Sequence, residues 1–216
     1  MRTNSCELDH TSNALIKSDS RFRRALTPVA VVATLTVAGL IAARDRHLFI
    51  INETASVPKG LYVRVPKGTQ LRRGDTVCVC LTDAEHQLYV RMGFDRGYLR
   101  EDPMAGCVLP AGLGRIAPLV KRIVAVPGDE VSIHSLKSSS ASALMPGVYV
   151  NGAKVPGSEP LERDGLGREL PQLAMQGRLP PGHYLVMGDE QAPKSFDSRY
   201  FGAIPEGDVV ARMERL

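Results

Sequence analysis

Two side chains in this sequence, Ser56 and Lys121, could together carry out nucleophilic chemistry. A serine hydroxyl is a weak nucleophile unless a base takes its proton during attack, and a neutral lysine amine can be that base. The ordinary lysine pKa of ~10.4 must then fall to roughly 8, which burial in an apolar surrounding can achieve. The chemistry therefore needs an element that buries Lys121.

The stretch around Lys121 predicts such an element. Residues 119–130 read L-V-K-R-I-V-A-V-P-G-D-E, an apolar β-prone run that ends in a Pro-Gly-Asp turn signal. We expect a strand with the lysine near its start. Taken alone, Lys121 and Arg122 also fit an ordinary basic pair at the mouth of a strand.

Two further segments complete the set. Ser56 lies in S-V-P-K-G, an extended-to-turn pattern in which a serine can also be a plain turn residue. Residues 188–202 read G-D-E-Q-A-P-K-S-F-D-S-R-Y-F-G. Its D-S-R is also compatible with a common turn and a surface ion pair.

Composition argues against nucleic-acid binding. The chain has 216 residues and a net charge of +4, from 27 basic and 23 acidic side chains. It has no long basic run, no Trp and only 5% aromatic residues, so both a phosphate-binding surface and a base-stacking platform lack support.

The N-terminal region predicts a membrane anchor. Residues 1–24 are polar and end in arginines, whereas residues 25–43 carry no charge and are about long enough to span a bilayer. The basic residues before this stretch outnumber those after it, which places the tail in the cytoplasm and residues 48–216 in the periplasm as an exported domain. A cleaved signal peptide and a buried helix of a soluble protein are the alternatives.

The cysteines fit an exported domain without requiring one. Cys78, Cys80 and Cys107 permit at most one bridge among them, and we predict Cys80 with Cys107. The C-x-C spacing is not accompanied by a second pair of ligands, as a zinc site would need, so no metal is expected.

The exported part reads as mostly β. Leu61–Val65 and Thr76–Leu81 are expected to pair at the start of a sheet, and Asn151-Gly152 predicts a hairpin turn. Residues 158–177 are polar and include Gly165 and Gly167, which favours a surface insertion.

The serine, lysine and D-S-R segments, in this order, resemble the boxes of type I signal peptidases. The short S-x-P-x-G box is similar to that of the TraF-like conjugative-transfer subgroup, which processes the pilin of a plasmid transfer system. The resemblance runs from about Thr54 to the C-terminus, with gaps. Residues 190–192 are E-Q-A, where the family commonly has asparagine and arginine after Gly-Asp, so the finer contacts of that loop are open.

This resemblance implies a signal-peptidase-like β-sheet or barrel domain behind one transmembrane helix, and a Ser/Lys dyad that needs no cofactor. Ser56 would be the nucleophile and Lys121 the general base, with the Ser56 N–H and the Thr54 hydroxyl as oxyanion donors. The supporting residues would orient the lysine and hold its loop: Ser195, Asp197, Ser198 and Arg199, with Gly188 and Asp189 shaping the turn.

The hypothesis is therefore a membrane-anchored serine endopeptidase that cuts an exported pilin precursor after small residues, as part of a conjugative transfer apparatus. The acyl-enzyme would end in hydrolysis or in cyclisation by the substrate's own amine. The alternatives are a general type I signal peptidase that accepts many leaders, and a non-catalytic component of a transfer or secretion apparatus.

Overall fold

The computed structural model describes residues 28–43, 48–65, 70–82, 84–103, 107–109, 114–136, 144–189 and 194–216. The chain divides into two compact units, Met1–Ala42 and Ala43–Leu216. The predicted cytoplasmic tail, residues 1–24, lies outside the described residues, as do residues 25–27 of the predicted anchor.

Residues 28–43 form helix α1, as expected for an uncharged apolar run, and nearly all of its side chains are exposed. In the described part of the chain, no helix is both long and apolar enough to cross a membrane. The anchor, its orientation and the exported location of residues 48–216 stay predictions.

The second unit is mostly β, as the sequence predicts. Its described residues form thirteen strands: β1 (Phe49–Asn52), β2 (Gly60–Val65), β3 (Thr76–Val79), β4 (Cys107–Val108), β5 (Arg115–Ile116), β6 (Leu119–Ala125), β7 (Glu130–His134), β8 (Gly147–Val150), β9 (Ala153–Lys154), β10 (Met175–Arg178), β11 (His183–Met187), β12 (Ile204–Pro205) and β13 (Val209–Arg215). Two short helices accompany them, α2 (Gln87–Asp95) and α3 (Ser198–Phe201).

Seven strands make the main antiparallel sheet, in the order β1-β2-β13-β3-β6-β11-β12. The expected direct pairing of β2 with β3 is wrong, because the last strand of the chain lies between them. Arg212 of β13 is opposite Val65 of β2 on one side and Val77 of β3 on the other. The local pattern correctly predicts a strand at both places, but it cannot show a partner that comes from the far end of the chain.

A smaller sheet follows the order β10-β7-β8-β9. The hairpin predicted at Asn151-Gly152 joins β8 to β9, and both turn residues have positive φ, 51° and 81°. This backbone conformation is the reason that Asn-Gly is favoured there. The prediction of this hairpin is confirmed.

The main core lies on one face of the large sheet and buries residues such as Val77, Leu81 and Ile123. A disulfide joins Cys80 to Cys107, with Cα atoms 5.4 Å apart, and so ties the end of β3 to β4. Cys78 is a buried free thiol on the other face, and burial raises its pKa to about 12. It therefore stays protonated and unreactive.

Candidate active site

Ser56 lies in the turn between β1 and β2, and a buried asparagine holds that turn. The Asn52 amide nitrogen donates to the carbonyl oxygens of Thr54 and Val57 at 3.0 and 2.9 Å, and its oxygen accepts from the Thr54 backbone at 3.2 Å. The Val57 side chain packs in the core beneath. Ser56 is thereby fixed at the edge of a rigid loop.

Lys121 lies within β6 on the face that carries the core. Side chains alternate along a strand, so Lys121 points to the same side as Ile123, which belongs to the core, and Leu119, which packs against it. Only 2% of Lys121 is exposed. Burial lowers the pKa of its amine to about 8, and the Asp197 carboxylate partly offsets this by favouring the charged form.

The amine of Lys121 contacts two serine hydroxyls. Its Nζ donates to Ser56 Oγ at 3.0 Å and to Ser195 Oγ at 2.7 Å. When the amine is neutral, one of these contacts can reverse, so that a hydroxyl donates to nitrogen. The strand β6 and two loops distant in sequence thus bring together the three residues that the resemblance places in the dyad and beside it.

The segment that carries Ser195 is held by a buried ion pair. Arg199 Nε and Nη2 donate to the two Asp197 carboxylate oxygens at 2.8 and 2.9 Å, and both side chains are almost fully buried. The Gly188 N–H also donates to Asp197, at 2.9 Å, and Arg199 Nη2 donates to the Ser195 carbonyl at 3.0 Å. Such a pair satisfies its own charges and fixes the backbone around Ser195.

The remaining predicted supporting residues lie close by. The Ser198 hydroxyl accepts from the Val186 N–H at 2.9 Å, which joins α3 to β11. The Asp189 N–H donates to the Ser56 carbonyl at 2.5 Å, and the Asp189 carboxylate is 3.4 Å from the Arg122 guanidinium. The loop after β11 therefore contacts the serine turn directly.

Thr54 occupies a different environment from the one its expected role requires. It lines the same cleft as Ser56, but its hydroxyl donates to the Asn52 amide oxygen at 2.8 Å. A hydroxyl has one proton to donate, so Thr54 can donate to an oxyanion only if it leaves Asn52. Its assignment as an oxyanion donor stays a prediction.

A cleft of about 520 Å³ opens over Ser56 and Lys121. Leu119, Val120 and Phe196 give it apolar walls, and Tyr98 and Lys194 lie at its side. Its volume lies in the range of ligand-binding clefts.

The two histidines considered in the sequence, His134 and His183, have ordinary polar contacts. His134 Nε2 is 3.1 Å from Ser132 Oγ and His183 Nδ1 is 3.0 Å from the Pro181 carbonyl, contacts that suit structural roles. Within the described ranges, no group of three or more His, Cys, Asp or Glu side chains could hold a metal ion.

Sequence reasoning missed two parts of the site. Asn52 was not singled out, although a buried asparagine at the end of a strand commonly fastens a turn to itself. The segment at residues 158–177 was expected to be a surface insertion, but Ser158 is fully buried and Arg199 Nη1 donates to the Glu159 carbonyl at 3.1 Å. Its polar composition concealed these contacts.

Comparison with known proteins gives the family. The profile described as signal peptidase, peptidase S26 matches residues 21–216. A probable conjugal transfer protein TraF of Sinorhizobium fredii is 35% identical and aligns over 94% of this chain and 95% of its own. A plasmid transfer protein TraF of Escherichia coli is 30% identical, over 88% and 94%.

A crystal structure of a signal peptidase I from Enterococcus faecalis matches 68% of this chain and 98% of its own at 17% identity, with a TM-score of 0.34, too low to bear on the site. The family assignment rests on sequence. The profile spans most of the chain, and the TraF relatives align over nearly their whole lengths. The chain belongs to the signal peptidase family, peptidase S26.

Proposed function

We propose that this protein is a membrane-anchored serine endopeptidase in which Ser56 is the nucleophile and Lys121 the general base. The main support is the distance of 3.0 Å between Lys121 Nζ and Ser56 Oγ, together with the burial of Lys121, which is only 2% exposed. Family membership supports peptidase chemistry, and the lowered lysine pKa supports the base role.

In the proposed first half-reaction, Ser56 Oγ attacks the scissile carbonyl carbon while its proton passes to the neutral Lys121 amine. The Ser56 N–H would donate to the oxyanion that forms. Collapse of this intermediate breaks the peptide bond, and the Lys121 ammonium returns the proton to the leaving amine. The product is an ester between the substrate and Ser56.

In the second half-reaction, the neutral lysine takes a proton from the group that attacks the ester. Water gives a linear carboxylic acid, and an amine of the same substrate gives a new amide and a cyclic product. Either attack releases Ser56 with its proton restored. Ser195 would keep the Lys121 amine aimed at the reacting oxygen throughout, through its 2.7 Å contact.

The proposed substrate is an exported pilin precursor of a conjugative transfer system. Two lines support this: the curated relatives bear the names of conjugal and plasmid transfer proteins, and the short S-V-P-K-G box resembles that of TraF-like peptidases. The uncharged residues 25–43, with more basic residues before them than after, support a periplasmic catalytic domain held at the inner membrane.

Co-expression with a candidate pilin precursor tests the proposal, with the product mass read by mass spectrometry. Wild type should process the precursor, whereas Ser56→Ala and Lys121→Ala should not. Ser132→Ala and Lys154→Ala are matched controls, since neither residue lines the cleft. A product lighter by one water than the linear fragment would indicate cyclisation. Full processing by Ser56→Ala would contradict the proposal and favour a non-catalytic role.

A further inference from the structure

A second cavity adjoins the cleft and is not used by the proposed chemistry. It holds about 210 Å³, and four residues line both spaces: Tyr98, Lys194, Ser195 and Phe196. Its far wall comes from the segment at residues 161–170, through Leu161, Gly165 and Leu170 among others. We call this cavity the outer chamber.

Hydrogen bonds hold the walls of the outer chamber in place. The Tyr200 hydroxyl accepts from the Leu161 N–H at 3.0 Å, and the Gln172 side chain donates to the Leu161 carbonyl at 3.1 Å. The Phe196 ring stacks on Tyr200, with centroids 6.1 Å apart. The aromatic side of the chamber and the Leu161 backbone are therefore joined to each other.

A carboxylate fixes the rest of the far wall. Asp164 accepts from the N–H groups of Leu166 and Arg168, both at 2.9 Å, and from Arg168 Nε at 2.6 Å. It also accepts a short hydrogen bond from the Tyr98 hydroxyl. The chamber is thus preformed, because the loop is anchored to a residue that also lines the cleft.

The chemistry of the walls selects an apolar occupant. Apart from Lys194, which also lines the cleft, the polar side chains of the lining already have partners: Asp164, Tyr98, Tyr200 and Ser195. Leu161, Leu170 and Phe196 supply apolar surface. An apolar cavity of ~150 Å³ is large enough to bind benzene, so this space can take a branched aliphatic or aromatic side chain.

The position of the chamber limits which substrate residue can reach it. Ser56 and Lys121 line the cleft but not the outer chamber. The residue whose carbonyl is attacked must lie against Ser56 Oγ, so an occupant of the chamber belongs to another position of the same peptide.

We propose that the outer chamber is a second substrate subsite, which takes a bulky apolar side chain from a residue that flanks the scissile one. This inference rests on the proposed peptidase function and deepens it. The small residue at the cleavage site and the bulky residue beyond it would be recognised by separate walls, so the two preferences can be changed independently.

Selectivity measurements on the co-expressed candidate pilin precursor test this subsite. Each position flanking the cleavage site is varied, and the processed fraction is read by mass spectrometry for wild type and three variants. Leu161→Ala and Leu170→Ala enlarge the chamber. Leu161→Trp narrows it, because Leu161 lines the chamber.

With wild type, one flanking position should prefer Leu or Phe over Ala by roughly tenfold or more, the range for side chains that fill an apolar pocket. Leu161→Trp should abolish that preference, and the two alanine variants should shift it toward larger side chains. Leu166→Ala is the matched control, because Leu166 is 79% exposed on the same loop and lines neither space. It should behave as wild type.

Two results would overturn the inference. Suppose that wild type cleaves the precursor and that all variants prefer the same substrate side chains as wild type at every flanking position. The chamber is then not a subsite, while the proposed function stands. If wild type cleaves nothing, the proposed function falls and the subsite with it. The melting temperature of each variant shows whether it folds. Narrowing and enlarging the chamber are expected to have opposite effects on the preference, so the test stays valid if one variant does not fold.

Discussion

One Asp–Arg pair lies behind Lys121 and another lies beside the outer chamber, and their surroundings differ. Asp197 and Arg199 are buried behind Lys121, with their side chains at most 1% exposed, whereas Arg168, the partner of Asp164 beside the outer chamber, is 36% exposed. Similar ion pairs therefore occur in two settings. The inner region comprises Ser56, Lys121, Ser195, Asp197 and Arg199, and the outer region comprises the walls of the outer chamber with Asp164 and Arg168. Substitutions in the inner region should change turnover or folding, and those in the outer region should change selectivity.

The strongest test of this difference removes the reacting groups. Ser56→Ala and Lys121→Ala should each lower kcat/KM by about 10⁴-fold or more, since the nucleophile and its base act as one unit. Lys121→Arg should fail as well, because a guanidinium does not lose its proton. Lys194→Ala, at the shared wall, should keep kcat/KM within about tenfold of wild type. An equal loss at Lys194 would remove the distinction between the regions.

Breaking the buried pair should destabilise the fold. Asp197→Asn leaves the Arg199 guanidinium buried without its counter-ion, and the free energy of unfolding should fall by about 3–5 kcal/mol. Glu169→Gln is the control, because its pair with Arg163 is more than half exposed, and the expected loss is about 0–1 kcal/mol. Chemical denaturation of both variants checks this. Equal losses in Asp197→Asn and Glu169→Gln would show that burial does not make the Asp197–Arg199 pair more important for stability than the exposed Glu169–Arg163 pair.

Lys121→Met should make the protein more stable while it abolishes activity. Below pH 8 the folded and unfolded chains both carry the Lys121 ammonium, so the full cost of burying it is present. That cost is about 3 kcal/mol for a pKa lowered from 10.5 to about 8. Between these values only the unfolded chain holds the proton, so wild-type stability rises with pH. Denaturation from pH 7 to 10 should show the advantage of the variant narrowing, and a constant gap would contradict a lowered pKa.

Ser195→Ala should have the smallest effect in the inner region. It removes the 2.7 Å contact to Lys121, so the amine loses its orientation, and kcat should fall by about 10- to 100-fold with little change in KM. Ser195→Thr keeps a hydroxyl and should recover part of the loss. Steady-state kinetics separate this from a binding defect, which would appear as a raised KM with kcat intact.

Much of the inner region could be predicted from the sequence, because it is built from local patterns. The apolar run before Pro-Gly-Asp predicts the strand that buries Lys121. In the smaller sheet, the Asn-Gly pair likewise predicts the hairpin of β8 and β9. The pairing order of the sheet could not be predicted, since β13 contacts β2 and β3 from the far end of the chain.

The outer region could not be predicted for a different reason. Residues 158–177 read as a polar loop, and their role in lining a cavity depends on distant contacts. Tyr98 lies 66 residues before its partner Asp164, and Tyr200 lies 39 residues after its partner Leu161. Asn52 was missed because one asparagine in a strand-to-turn segment has no distinctive sequence pattern. Only its burial identifies it.

The pH dependence of kcat/KM for wild-type cleavage of the pilin precursor tests the central claim most directly. If neutral Lys121 is the base, kcat/KM should fall about tenfold for each pH unit below about 8 and level off above it. The same profile should be absent from the residual activity of Lys121→Ala. A midpoint near the ordinary histidine pKa of ~6.5, or activity that does not change between pH 6 and 9, would contradict the Ser/Lys account.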